Sequence, residues 1–448
     1  PAHLPSSDGR LMTSTKLFGT DGVRGVAGTE LTAELALALG RAGARETPAT
    51  RPQVLVVRDT RESGPMLEAA LAAGVAEGGG DALLAGVLPT PAASVLVRRL
   101  GLDVGAVVSA SHNPWQHNGI KFFGPDGRKL DDEVERRIEA HVAERGAPSP
   151  AVGRVRDLGG ALDDYVRELT SSLQVDLSGR RILLDCANGA TYRAAPVVFE
   201  RLGATVDVIG DEPDGRNINE GYGSTQPDAL ARAMRSGDAE IGFAFDGDGD
   251  RVIAVDASGA VRDGDELIAL CARHLASTGA LGGGVAVTVM SNYGFHEAMA
   301  DAEIEVATTP VGDRYVAAEL EERGWSLGGE QSGHIIWTEY GPTGDGTAAA
   351  LLVMSALGDA DLAGAIPMRK LPQILENIEI ADRGAIADAT AVWEAVDRES
   401  AALEGRGRVL VRPSGTEPLV RVMVEAPTSD ESQEICGRLV ALITRELA

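Results

Sequence analysis

Residues Gly105–Pro114 read GAVVSASHNP. The apolar run Ala106–Val108 gives way to Ser109, Ala110, Ser111, His112, Asn113 and Pro114. That is the pattern of a buried strand opening into a small polar loop stopped by proline. Hydroxyls, an imidazole and a carboxamide gather at one strand end, and Ser111 is the residue expected to carry chemistry. An ordinary polar turn has a similar composition, so the weight falls on what surrounds it.

Around this stretch, short β-branched runs alternate with Ala/Leu-rich amphipathic ones. Val54–Val57, Ala82–Ala85 and Val104–Val108 read as strands, and Pro65–Ala76 and Ala93–Leu100 as helices. Such alternation predicts crossover units and a largely parallel sheet with working loops at strand ends. Asp131–Glu144 reads as a charged helix and Arg145–Gly160 (RGAPSPAVGRVRDLGG) as a linker. The pattern then restarts, with helices over Leu162–Leu173 and Ala195–Leu202. Strands follow over Ile182–Asp185, Thr205–Ile209, Ile241–Phe245 and Val252–Val255. A third round from Glu266 gives strands Val285–Met290 and Glu303–Ala307, then helices Arg314–Arg323 and Thr347–Ala356. Asp359–Pro372 again reads as a linker. The last segment differs: strands Glu376–Ile380, Val409–Val411 and Leu419–Glu425, one long helix Ile386–Leu403 and a closing helix Ser432–Leu447. The expected class is α/β, with three similar α/β units and a smaller α+β tail.

A chain of 448 residues holds about three domains of ordinary size. Its 67 acidic against 41 basic residues give a net charge of −26, which repels nucleic acid and anionic lipid. An anionic substrate therefore needs local arginines or a metal. Cys186, Cys271 and Cys436 are scattered and form no CxxC pair, as suits a reducing cytosol. No apolar run approaches the roughly 18–20 residues of a membrane span, and no signal-peptide pattern is seen, so a cytoplasmic location is expected. Pro1–Leu11 lacks periodicity and reads as a cloning remnant or disordered tail, with Met12 as a natural beginning.

Four more loops stand out. Phe18–Gly25, FGTDGVRG, is too glycine-rich to form stable regular structure, and its Arg24 can approach a ligand. After Ser111, Asn118-Gly119 reads as a turn that returns Lys121 on a strand close to Ser111, bringing positive charge. Asp246–Arg251, DGDGDR, follows an apolar strand and sets three carboxylates at alternate positions. At roughly 5 Å and an effective dielectric near 20, each pair repels by about 3 kcal/mol. A cation is needed, and hard oxygen donors without His or Cys indicate Mg²⁺ or Ca²⁺. An EF-hand fails, because Arg251 stands at its sixth position and Ala257 at its twelfth. Gly328–His334, GGEQSGH, offers groups suited to sugar hydroxyls, and His334 is a candidate acid or base because the unperturbed pKa of an imidazole lies near neutrality. Arg412–Pro418, RPSGTEP, places backbone N–H groups and two hydroxyls between Arg412 and Arg421, an anion nest best suited to phosphate. No Walker A loop, no Gly-x-Gly-x-x-Gly after a strand and no His-Glu-x-x-His is found.

Together SASHNP, DGDGDR, GEQSGH and RPSGTEP resemble, in order and spacing, the α-D-phosphohexomutase superfamily over nearly the whole chain from about Lys16. FGTDGVRG, and Gln331 where members acting on glucose or mannose phosphates commonly carry Met, resemble its bacterial branch that acts on glucosamine phosphates. The resemblance implies three similar α/β domains with mixed sheets plus a smaller α+β C-terminal domain around a central cleft. The expected divisions are 1–15, a tail; 16–158, with the catalytic serine loop; 159–262, with the metal loop; 263–370, with the sugar loop; and 371–448, with the phosphate loop.

It further implies that Ser111 is phosphorylated in the active enzyme and that Asp246, Asp248 and Asp250 bind one Mg²⁺, with the phosphoserine as another ligand. Glu330 and Ser332 match sugar-gripping residues. Arg412, Ser414, Gly415, Thr416 and Arg421 match the phosphate-binding loop. Lys121 and His334 match positions given acid/base roles, and Arg24 and Arg251 match active-site arginines. The implied reaction interconverts glucosamine 6-phosphate and glucosamine 1-phosphate through a 1,6-bisphosphate. Glucosamine or glucose 1,6-bisphosphate is the implied activator, a sugar phosphate the small-molecule partner, and a homodimer one candidate assembly, since the sequence itself does not set the oligomeric state. The rivals are a phosphoglucomutase or phosphomannomutase, a Mg²⁺ sugar phosphatase and a sugar-phosphate sensor.

Overall fold

A computed structural model describes residues 17–19, 21–144, 151–173, 175–380, 382, 385–413 and 419–447. The chain divides into two compact units, Pro1–Thr288 with Ala307–Ala365, and Val289–Val306 with Ile366–Ala448. The expected tail at 1–15 lies outside the described residues.

The first sheet holds β1 (Val23–Val26), β2 (Gln53–Arg58), β3 (Asp81–Val87), β4 (Val104–Val108), β5 (His117–Phe123) and β6 (Val155–Asp157), in the order β1-β5-β4-β2-β3-β6. Its helices are α1 (Ala33–Arg45), α2 (Gly64–Glu77), α3 (Thr90–Leu100) and α4 (Asp132–Glu144). Val54, Val56, Val104, Ala106 and Val108 share one core cluster with Leu39, Leu67, Leu71 and Ile138. That alternation is the period of two that puts one face of a strand under helices.

The second sheet, β11-β10-β9-β7-β8, comprises β7 (Arg181–Asp185), β8 (Thr205–Ile209), β9 (Ile241–Phe245), β10 (Val252–Asp256) and β11 (Val261–Arg262), with α5 (Ala161–Ser172), α6 (Ala194–Arg201) and α7 (Asp228–Ser236). The third, β13-β12-β14-β15, comprises β12 (Gly284–Thr288), β13 (Glu305–Thr309), β14 (Leu327–Gly329) and β15 (Ile335–Trp337). Helices α8 (Gly264–Thr278), α9 (Tyr293–Asp301), α10 (Asp313–Arg323), α11 (Gly346–Leu357) and α12 (Leu362–Ala365) fall in this part of the chain. The smaller unit carries the antiparallel sheet β16-β18-β17, of β16 (Gln373–Glu379), β17 (Arg408–Pro413) and β18 (Leu419–Glu425), with α13 (Ala385–Asp388), α14 (Thr390–Ala402) and α15 (Ser429–Leu447). The class is α/β with mixed sheets and a small C-terminal domain. No described helix is long and apolar enough to cross a membrane.

Several expectations need correction. The first sheet keeps the parallel run β4-β2-β3-β6 but is mixed, because β5 runs antiparallel to both β4 and β1. FGTDGVRG is not wholly irregular, since Val23–Val26 pairs with β5 as an edge strand. Asn118-Gly119 is no turn: both residues lie in β5, opposite Gly25 and Arg24. A Cβ on Gly119 would sit 2.5 Å from the Ser109 carbonyl oxygen, so this glycine serves close approach rather than reversal. Within the Arg145–Gly160 linker, Val155–Asp157 adds β6 alongside β3, and the linker-like stretch after Asp359 contains α12. The long helix from Ile386 is broken at Ala389, whose ψ of 70° leaves the helical region. The Trp393 indole then takes up the freed Ile386 carbonyl at 2.8 Å.

Strand order sets up the chemistry. β2 and β4 are parallel neighbours, so the segments beginning at Asp59 and Ser109 leave the same sheet edge side by side. β9 and β10 form a hairpin whose loop is DGDGDR, and β14 and β15 one whose loop is EQSGH.

Candidate active site

Ser111 is buried, and its φ of 51° places a β-carbon residue in the left-handed region, at a cost of about 1–2 kcal/mol. Its Oγ donates to Asp246 Oδ2 at 2.5 Å and lies 3.3 Å from His112 Nδ1. The serine loop and the aspartate loop, far apart in sequence, therefore meet inside the larger unit.

Asp246, Asp248 and Asp250 are all buried, with one oxygen of each lying within 4.8 Å of the others. Thr90 Oγ1 donates to Asp248 Oδ2 at 2.6 Å, and Lys121 Nζ donates to the same oxygen at 2.8 Å. Asp248 Oδ1 and Asp250 Oδ1 are buried without a hydrogen-bond partner. Three clustered carboxylates with two unsatisfied oxygens fit a hard divalent cation, whose charge and lone-pair demand match that set. Burial, then the charges of Asp250 and Asp248, push Asp246 well above the usual carboxylate range. Burial opposes ionisation of Asp250 too, yet His334, Lys121 and Arg251 hold it well below that range. The group is thus poised to trade a proton and a lysine contact for a cation.

Lys121 is buried on β5. Burial disfavours its charge, but Asp21, Asp248 and Asp250 outweigh that and raise its pKa. Arg24 pairs with Asp21, and both Arg24 and Arg251 bear on His112. Burial first, then those two guanidiniums, lower that imidazole to about 4, so His112 stays neutral beside Ser111. Arg251 donates its backbone N–H to Asp246 Oδ1 at 3.2 Å.

The β14–β15 hairpin with its EQSGH loop is fastened to the aspartate loop. Val252 N–H donates to the Gly333 carbonyl at 3.0 Å, and Arg251 bridges to His334. A Cβ on Gly333, whose φ is +91°, would lie 2.2 Å from the Val252 carbonyl oxygen. Gly333→Ala is expected to destabilise the fold by about 2 kcal/mol or more. Denaturant unfolding checks this, and an unchanged midpoint would contradict it.

His334 is buried between Asp250 and Asp313, each 3.7 Å from one ring nitrogen, while Gly344 N–H donates to Nε2 at 3.2 Å. Burial lowers its basicity, but the two carboxylates prevail and raise it. Glu330 Oε1 accepts the Gly312 N–H at 3.1 Å, and Ser332 is exposed at the hairpin turn.

In the smaller unit Arg412 and Arg421 are directly opposed across β17 and β18. Burial, then the charge of Arg421, lower the Arg412 pKa, an arrangement that favours an anion between them. Ser414, Gly415 and Thr416 lie outside the described residues.

The sequence reading missed two groups. Asp59 and Arg61 lie fully buried behind the serine loop, and the adjacency of β2 and β4 was the available signal. Lys129 bridges Asp21 and Asp313, reaching the latter at 2.5 Å, and nothing local announces that contact.

Family models for phosphoglucomutase/phosphomannomutase match the chain in four pieces: alpha/beta/alpha domain I over 15–148, domain II over 163–259, domain III over 263–373 and the C-terminal domain over 375–442. A phosphoglucosamine mutase from Pelotomaculum thermopropionicum is 52% identical over 440 residues, 95% of this chain and 98% of that one. The crystal structure of a phosphoglucomutase/phosphomannomutase family protein from Burkholderia thailandensis matches with a TM-score of 0.82 at 25% identity, covering 97% of this chain and 98% of that one. At 17% identity, an Aspergillus fumigatus N-acetylphosphoglucosamine mutase in complex with GlcNAc-6P and magnesium shares the fold, with a TM-score of 0.65 and 96% of each chain covered. Matched along almost its full length, the chain belongs to the phosphoglucosamine mutase family, isomerases within the phosphoglucomutase/phosphomannomutase fold.

Proposed function

We propose that Ser111 is the phosphoryl carrier in the interconversion of glucosamine 6-phosphate and glucosamine 1-phosphate. The observation that carries this is the Ser111 Oγ contact with Asp246, inside the buried carboxylate triad. Phospho-Ser111 gives its phosphoryl group to the free sugar hydroxyl: the P–Oγ bond breaks, a P–O bond to the sugar forms, and the hydroxyl proton passes to a base. The 1,6-bisphosphate turns over, and its 6-phosphoryl group returns to Ser111.

Asp246, Asp248 and Asp250 would hold Mg²⁺, which supplies charge neutralisation and Lewis-acid polarisation of the transferring group. A phosphoserine brings about −1.5 to −2 charges beside three carboxylates, so the site demands that compensation. Lys121 and His334 hold protons at the reacting oxygens. Arg24 and Arg251 stabilise charge on the transferring group, and charge stabilisation with positioning is the main lever for this chemistry. Glu330 and Ser332 grip the sugar. Arg412, Ser414, Gly415, Thr416 and Arg421 hold the phosphate that is not reacting.

This reading assigns one loop to each of the divisions 16–158, 159–262, 263–370 and 371–448. It takes glucosamine or glucose 1,6-bisphosphate as activator, the cytoplasm as the location and a homodimer as the assembly.

Comparing kcat/KM on glucosamine 6-phosphate and glucose 6-phosphate tests the substrate. The amino sugar should be preferred by at least about 10-fold; preference for glucose would move the chain to the hexose-acting members. Steady release of inorganic phosphate without isomerisation would instead make it a phosphatase.

A further inference from the structure

Arg61 stands just beyond β2 with its side chain fully buried. Arginine has five N–H donors in one plane, and every one of them is engaged. Nε donates to Asp59 Oδ2 at 2.7 Å. One terminal nitrogen donates to the carbonyls of Pro114 and His117, at 2.5 and 3.0 Å. The other donates to those of Ser111 and Asn113, at 2.7 and 2.9 Å. A single guanidinium thus gathers three carbonyls of the serine loop and that of His117, where β5 begins.

Two further side chains complete the hold. Asp59 Oδ2 accepts from Ser109 Oγ at 2.6 Å, and that hydroxyl accepts the Ser111 amide at 3.0 Å. Asn219 Nδ2 donates to the Ser111 carbonyl at 3.0 Å and to that of Asn113 at 3.3 Å. Both backbone polar groups of Ser111 are therefore held by buried side chains.

We propose that Arg61, assisted by Asn219, is a positioning residue that keeps Ser111 in its left-handed conformation so that Oγ faces the carboxylate triad during phosphoryl transfer. This rests on the reading of Ser111 as the phosphoryl carrier. Transfer depends on in-line placement, and a serine released from φ 51° would swing its Oγ away from Asp246. Arg61 cannot reach a sugar from its buried place behind the loop. Its effect therefore belongs to the transferring group rather than to substrate affinity.

Two variants test this. Arg61→Lys keeps a charge opposite Asp59 but concentrates its donors on one nitrogen, which cannot span four carbonyls. Asn219→Gly removes two donors at a residue whose φ of 62° glycine adopts freely, so its fold is retained even if Arg61→Lys does not fold. The expected kcat falls about 10²-fold for Arg61→Lys and about 10-fold for Asn219→Gly. The KM for glucosamine 6-phosphate should stay within about threefold. Transfer from glucose 1,6-bisphosphate to Ser111, followed by rapid-quench mass spectrometry, should slow in parallel with kcat. Wild-type kcat in Asn219→Gly, or a raised KM at unchanged kcat in either variant, would overturn the proposal. Wild-type enzyme lacking isomerase activity would overturn the functional reading and this proposal together. Active wild type with unaffected variants overturns the proposal alone.

Discussion

Ser111→Ala is expected to lose isomerase activity by at least about 10⁴-fold, the scale set by removing a nucleophile whose partners remain. The fold should survive, because among the described residues Oγ makes only the Asp246 and His112 hydrogen bonds, while the loop is held through the Ser111 amide and carbonyl. Alanine also leaves a short side chain at φ 51°, the same backbone strain that serine bears. Loss of activity with an unchanged unfolding transition separates a chemical role from a structural one. The residual rate discriminates the mechanism. A sugar phosphate passing its group directly from one hydroxyl to another would retain most of its rate without a serine, whereas a carrier mechanism retains none beyond the background reaction.

Removing the cation, or one of its carboxylates by Asp248→Asn, is expected to cost about 10²-fold or more in kcat, because the transferring group then faces the other carboxylates uncompensated. The metal-free protein should itself be intact. Lys121 bonds to Asp248, and Asp246, pushed up by burial and by its neighbours, favours its neutral form. The pH dependence follows from that shift. A carboxyl whose pKa rises on folding adds stability below its unfolded value and loses it as pH climbs through the folded value. In the metal-free protein Asp246 therefore weighs against the fold at higher pH, where its charge repels Asp248 and Asp250. Mg²⁺ cancels that repulsion and competes with the proton. Its stabilising effect on Tm should be larger at pH 8 than at pH 5, read by thermal unfolding with and without a chelator. An effect equal at both pH values would contradict a proton-competing triad.

The strands that bear the proposed site loops were legible where the signal is local. Val104–Val108, Thr205–Ile209, Ile241–Phe245 and Leu419–Glu425 were read with their observed bounds, each a short run rich in β-branched or aromatic residues. The convergence of the DGDGDR carboxylates was legible because three like charges at alternate positions between glycines can close on one point. Asn118-Gly119 misled because a dipeptide that commonly turns also fits where strands crowd, and the close approach of the Ser109 carbonyl is a tertiary fact. Ala389 misled similarly, since nothing in an alanine marks a helix break. Arg61 gathers carbonyls about fifty residues away, and Lys129 meets Asp313 across 184 residues. Such pairs have no period and no motif. They exist only once the sheets have put their loops together, so no pattern along the chain announces them.

The most direct test is to incubate the purified protein with Mg²⁺ and glucose 1,6-bisphosphate, then measure intact mass and map the phosphopeptide. One added phosphoryl group, confined to the peptide containing Ser111 and discharged by glucosamine 6-phosphate, is the predicted result. A phosphoryl group on another residue, or none on an enzyme that still isomerises its substrate, would contradict the account.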